Sequence, residues 1–244
     1  MGSIARKESH HGGEGGYGQF CPIAMAAEVM AHRWTPLILR ELLAGSTHFN
    51  EIKRGLPLIS RSTLAQRLKA LESAGVVATQ PGGTGLPGDY RLTPAGLKFR
   101  PVIEAMGIWG QQWTSRFELD NLDAELLMWN LRRRLVRDKL PTQRKLLRFE
   151  FNGLSPRYRR ARLFWLFVSR DDVDLCLKDP GADVDLYITA DIGAFARVWL
   201  GDLPMAQALR EGGIRLVGPR EMVHDFPGWL LLSHFAAHAP RLAA

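Results

Sequence analysis

The segment SRSTLAQRLKALESAGVV, residues 60–77, constrains the fold of this chain more than any other. Leu64, Leu68 and Leu71 recur at i, i+4 and i+7, one narrow apolar stripe on an otherwise polar helix. At about 100° per residue the opposite face carries Ser62, Gln66, Lys69 and Ser73, flanked by Arg61, Thr63 and Arg67. Ser60 is a good N-cap and Gly75 a good C-terminal stop. Such a helix buries one side against neighbours and offers a cationic, hydroxyl-rich N-terminal turn to solvent. The neighbours precede it. Met25, Val29, Met30, Trp34, Leu37, Ile38 and Leu42 follow helical spacing, with a break near His32–Pro36. Ser46–Thr47 can cap a short helix from Phe49 to Gly55, which turns inward through Phe49 and Ile52.

Two β-prone runs follow, Val76–Gln80 and Asp89–Leu92, separated by PGGTGLPG. That loop lacks the GxxxxGK[ST] spacing of a phosphate-binding loop and leads into a strand, so it reads as the tip of a hairpin. Thr84 lies in the tip, and Tyr90 and Arg91 lie at the base. After Thr93–Pro94 a long helix carries Val102, Met106, Trp109, Trp113 and Phe117 on one stripe. So many large side chains exceed what a small domain can bury, and Met106, Trp109 and Trp113 are expected in a dimer seam.

Charge divides the chain. Residues 1–115 carry a net +4, residues 116–160 a net +6 and residues 161–244 a net −3, within an overall +7. A basic first part and an acidic last part suit two modules, the first with a polyanionic partner. With 46% hydrophobic and 23% charged residues, the composition is that of a globular chain. No apolar run reaches the roughly 20 residues of a membrane span. Residues 1–17 lack the apolar core of a secretory signal and read as a disordered tail. Cys21 and Cys176 are too few for a disulfide framework and fit a cytoplasmic location.

Beyond residue 117 the period changes. Ala124 to Leu140 is read as a helix with Leu127, Leu131 and Leu135 on one face and Arg132, Arg133, Arg134, Arg137 and Lys139 around it. These cations either meet DNA phosphate, face solvent or pair with acids. Four strands are then expected at Leu147–Asn152, Leu163–Ser169, Val173–Lys178 and Val184–Thr189. Asp191 caps a helix with Phe195, Val198 and Trp199, and Pro204 starts a second one. Ile214–Val217 is a fifth strand, and a last helix runs from about Pro219 to Ala237. No nucleophile elbow or HExxH is present, and the His234/His238 pair at i,i+4 has no further ligand nearby, so neither an enzyme nor a metal or cofactor site is expected.

The pieces Cys21-Pro22, HRWTPLILREL, HFNEIKRGLP, ISRSTLAQRLKALE and YRLTPAG resemble the HxlR-type family of bacterial winged-helix transcription regulators. The resemblance covers about Cys21 to Trp113. It implies a homodimer on a pseudo-palindromic double-stranded operator, probed by Ser60, Arg61, Ser62, Thr63, Gln66 and Arg67. Lys69 joins them from the helix, with Thr84, Tyr90 and Arg91 from the wing. Some members sense oxidants through a cysteine near Cys21, which is otherwise a structural residue.

The later stretch DVDLYITADIGAFARVWLGDLPMAQALREGGIRLVGPREMVHDF resembles sterol-carrier-protein type-two domains. That implies an α/β fold with an apolar pocket, for which Trp129, Trp165, Phe167, Phe195, Trp199 and Trp229 are the candidate lining. The expected fold is therefore α+β: a winged helix-turn-helix domain over 18–117 and a sterol-carrier-like domain over 118–244. The expected function is transcription regulation by a repressor, with the second domain sensing a small apolar effector. The alternative is a lipid-binding or carrier module in which the winged helix serves dimerisation or protein interaction.

Overall fold

The computed structural model describes residues 16–80, 88–113, 122–158 and 161–238. Thr84 and Phe117 lie outside them. The chain forms two compact units, Met1–Ile103 and Glu104–Ala244.

In the first unit α1 (Pro22–Met30) and α2 (Thr35–Leu43) are separated by a turn in which Trp34 takes a left-handed φ of 78°. Then come α3 (Phe49–Arg54), α4 (Arg61–Ser73), the antiparallel pair β1 (Val77–Gln80) and β2 (Asp89–Leu92), and α5 (Pro94–Leu97). The single helix expected after Thr93 is interrupted: α5 ends at Leu97, and α6 (Arg100–Trp113) starts anew. Ile38, Leu39, Ile52, Leu64, Leu68, Leu71 and Val77 form the core, so the α4 stripe is the face that packs.

One buried polar group organises this core. Glu41 of α2 is 0% exposed. Its carboxylate accepts from Arg40 Nη2 at 2.9 Å and from Ser46 Oγ at 3.4 Å, while Arg40 also donates to the Gly55 carbonyl at 2.9 Å. Gly55 leaves the room for this, since a Cβ there would overlap the Glu41 carboxylate. Ser46 turns its hydroxyl to Glu41, and the N-cap of α3 is His48. Glu51 Oε2 closes the first turn, accepting from the backbone N–H groups of Thr47 and His48 at 3.0 and 3.2 Å.

The second unit contains α7 (Ala124–Arg133), β3 (Lys145–Asn152), β4 (Leu163–Val168), β5 (Val173–Cys176) and β6 (Leu186–Asp191). It continues with α8 (Ile192–Trp199), α9 (Met205–Arg210), β7 (Ile214–Val217) and α10 (Arg220–Trp229). The strands form one sheet in the order β5-β4-β3-β6-β7, with β3–β6 parallel and the other pairs antiparallel. On one face Phe149, Phe151, Phe164, Phe195 and Phe226 pack with ring centroids 5.5–6.2 Å apart in edge or tilted pairs.

Two helices are shorter than their sequences suggest. The helix starting at Ala124 stops at Arg133 instead of Leu140, and the last one stops at Trp229 instead of Ala237. The same contact ends both: Leu135 pairs with Leu230 as an isolated antiparallel bridge, and Arg134 Nε donates to the Leu232 carbonyl at 2.6 Å. The second half of α6 belongs to this unit. Its Gly107 sits against the Phe235 ring, where a Cβ would clash, Glu104 lies 3.9 Å from His234, and Gln111 reaches the Leu200 carbonyl at 3.4 Å.

Gly55→Ala should lower the unfolding free energy by about 1–3 kcal/mol, the usual cost of overpacking. Urea titration reads this as a lower midpoint, and an unchanged midpoint would mean that the Glu41 carboxylate yields freely.

Candidate nucleic-acid interface

The exposed side of α4 collects the polar residues singled out in the sequence. Ser60 caps the helix, its Oγ accepting from the Thr63 N–H at 3.0 Å and lying 2.7 and 3.0 Å from the hydroxyls of Thr63 and Ser62. Arg61, Ser62, Gln66 and Lys69 are exposed, and Thr63 and Arg67 are half-buried. Arg61 is held in place, donating to Asn50 Oδ1 at 3.2 Å with its guanidinium 5.2 Å above the Phe49 ring. Asn50 is thus a positioning residue on α3 that sequence reasoning missed. Arg67 Nε is buried and has no acceptor among the described residues. The exposed donors of Arg61, Ser62, Gln66 and Lys69 form a surface suited to anionic oxygens.

The hairpin stands next to this helix in sequence and is tied to α3 at its base. Tyr90 N–H donates to the Thr47 carbonyl at 2.8 Å, and His48 Nδ1 is 2.9 Å from Asp89 Oδ1. Arg91 is exposed but pairs with Asp89 at 3.1 Å. The Tyr90 side chain packs against the core of the first unit, so it is half withdrawn from solvent. On α6, Met106, Trp109 and Trp113 are 46%, 62% and 72% exposed. These large apolar groups line up on one exposed stripe and form an apolar surface patch.

The six aromatic residues expected to line one pocket do not converge. Phe195 and Trp229 belong to the packed core, and Trp199 lies against it. Trp165 and Phe167 lie on the other face of the sheet, because Trp165 is paired across from Arg148 and Phe167 from Leu146, out of step with Phe149 and Phe151. Phe167 is covered by the Arg144 guanidinium at 4.2 Å. Trp129 is buried, with Arg132 and Arg133 over its ring at 4.3 and 4.6 Å. The basic run thus spends two cations on an indole and a third, Arg134, on a carbonyl.

The two thiols differ. Cys21 is the N-cap of α1, and the backbone N–H groups of Ala24 and Ile23 hold its thiol below the ordinary cysteine range. Burial, with the Asp174 carboxylate nearby, pushes Cys176 up. Among the described residues, no three His, Cys, Asp or Glu side chains gather as a metal site would require. No helix among them is long and apolar enough to cross a membrane.

Residues 29–118 match the HxlR-like helix-turn-helix family. The uncharacterized HTH-type transcriptional regulator YvaP of Bacillus subtilis is 35% identical over 104 residues, 42% of this chain and 96% of that protein. The HTH-type transcriptional regulator YodB of the same organism is 35% identical over 95 residues, 38% of this chain and 85% of YodB. The structure of reduced YodB aligns with 33% identity over 40% of this chain and 97% of its own, at a TM-score of 0.35.

Iodoacetamide at pH 7 should modify Cys21 faster than Cys176, since a lowered pKa leaves more thiolate and a raised one less. Peptide mass spectrometry over time reads the order, and equal rates would show that the α1 N–H groups do not activate Cys21.

Proposed function

The chain belongs to the HxlR-like helix-turn-helix family of transcriptional regulators, and from this we propose that it is a DNA-binding repressor that acts as a homodimer on a pseudo-palindromic operator. The observation that carries the reading is the α4 surface: an exposed hydroxyl and guanidinium face, opened by a capped N-terminus and packed through Leu64, Leu68 and Leu71. In this reading α4 enters the major groove. Gln66 and Arg61 face base edges, while Ser60, Ser62, Thr63, Arg67 and Lys69 face the backbone. Arg91 and Thr84 of the wing approach phosphate, with Arg91 exchanging Asp89 for it. Tyr90 supports the wing from below.

The domains are assigned as a tail over 1–17, a DNA-binding and dimerisation domain over 18–117 and a sterol-carrier-like sensor over 118–244. Met106, Trp109 and Trp113 form the seam between copies. Cys21 is a candidate redox thiol, favoured by its position at a helix N-terminus. The chain works in the cytoplasm, where the operator is.

Coupling between sensor and seam runs along α6. Met106, Trp109 and Trp113 occupy one stripe of this helix. Glu104, Gly107 and Gln111 occupy another and meet His234, Phe235 and Leu200. A ligand that binds two arrangements of the sensor with different affinity shifts the seam by that difference and no more.

Fluorescence anisotropy on duplexes selected from a random pool tests the DNA reading. Affinity should fall steeply with salt, because phosphate contacts release counterions. Arg61→Ala and Gln66→Ala should each lose about 1–3 kcal/mol on the selected duplex and much less on random duplex. Equal losses on both would demote these residues to backbone contacts, and a flat salt response would overturn the DNA reading. Trp109→Glu should sediment as a monomer, and a full dimer would exclude the α6 seam.

A further inference from the structure

Three long side chains leave the exposed face of α4: Arg61, Gln66 and Lys69. They are not equivalent. Among the described residues the side chains of Gln66 and Lys69 have no hydrogen bond or ion pair. Arg61 has two partners, both on α3. Its Nη2 donates to Asn50 Oδ1 at 3.2 Å, and its guanidinium carbon lies 5.2 Å from the centroid of the Phe49 ring. The hydrogen bond fixes the direction of one N–H, and the ring fixes the distance of the group from α3. Together they hold a side chain that otherwise carries a large rotamer entropy, so less of it is left to lose on binding.

The holders are themselves fixed. Ile52 is buried and Phe49 packs against the core of the first unit. Glu51 closes the first turn of α3, and Arg40 grips the Gly55 carbonyl at its end. Asn50 is exposed, and among the described residues its side chain makes one hydrogen bond, to Arg61. Position 50 therefore has no other partner to serve.

The remaining donors of Arg61 point to a reader. A guanidinium carries five N–H groups in a planar fork, and Asn50 takes one of them. Arg61 is the first residue of α4 after the Ser60 cap, in the turn that meets base edges when such a helix enters a major groove. Of the four bases, guanine alone presents two acceptors there, O6 and N7, which match the fork. Adenine pairs an acceptor with a donor, and thymine offers one acceptor beside a methyl group.

We propose that Asn50, with Phe49 behind it, is the positioning residue that presets Arg61 to read one guanine of the operator, so that specificity at that base pair is set from α3. The inference rests on the reading of α4 as a major-groove helix and names the base and the residue that controls its recognition.

The test measures anisotropy of the full chain on the selected duplex and on duplexes in which each base pair of one half-site is changed in turn. Arg61→Ala marks the pair that the arginine reads, as the position where discrimination disappears, and that pair should be G·C. Asn50→Ala should narrow discrimination at the same pair by about threefold to tenfold, the worth of one hydrogen bond, and leave the other positions and random duplex unchanged. Added to Arg61→Ala, it should change nothing more, because its effect runs through the arginine. Asn50→Asp keeps the acceptor and adds a negative charge, so it should retain the discrimination while weakening every duplex alike. Circular dichroism of each variant checks the fold. A merely structural role for Asn50 would lower affinity at every position equally. That result, unchanged discrimination in Asn50→Ala, discrimination lost equally in Asn50→Ala and Asn50→Asp, or an A·T pair at the Arg61 position overturns the proposal and leaves the DNA reading standing. Absence of binding to any duplex by the parent chain overturns both.

Discussion

The first unit depends on a carboxylate that has no access to water. Glu41 is enclosed between α2 and the end of α3, and an unpaired carboxylate there would cost several kcal/mol. Arg40 and Ser46 supply its partners, and Gly55 supplies the space. Each of these residues fixes a piece of chain. Arg40 pins the α3 terminus through the Gly55 carbonyl, and Ser46 pins the turn into α3. α3 in turn holds Arg61 through Asn50 and Phe49 and the hairpin base through Thr47 and His48. The polar face of α4 and the base of the hairpin are thus both anchored to a helix of six residues, which is too short to be stable without tertiary partners.

The second unit is organised by dispersion and aromatic geometry. Its central strand β3 has a partner on both sides and carries Leu147, Phe149 and Phe151 on the face that α8 and α10 cover. The opposite face is of another kind. Arg144 and Arg148 lie over Phe167 and Tyr187, so aromatic surface is shielded by guanidinium groups whose charge remains near water. Trp165 and Leu146 are also buried on that face, so the stacked cations are one part of its cover.

Helix α6 carries two demands on separate stripes. One stripe of its second half meets Leu200, His234 and Phe235, and glycine at 107 lets the Phe235 ring approach the backbone. The other leaves Met106, Trp109 and Trp113 uncovered. One helix thus serves two surfaces, a stripe packed inside its own unit and an apolar stripe left exposed.

Much of this was legible in local sequence. The α4 stripe, its Ser60 cap, the hairpin and the five strands all follow from period and turn chemistry, which involve residues close along the chain. So did the exposed face of α4, since an apolar stripe fixes where the polar residues point. Tertiary structure alone decided where the helices at Ala124 and Pro219 end, because the Leu135–Leu230 bridge joins residues far apart in sequence and overrides helical propensity on both sides. It also decided that Ser46 serves Glu41, though an acid inside the apolar run LILRELL was a signal of a buried partner. The pocket was the least legible feature. A count of aromatic side chains cannot distinguish a lined cavity from a filled one. That depends on which face of the sheet each ring occupies and on whether its neighbours close the space between them.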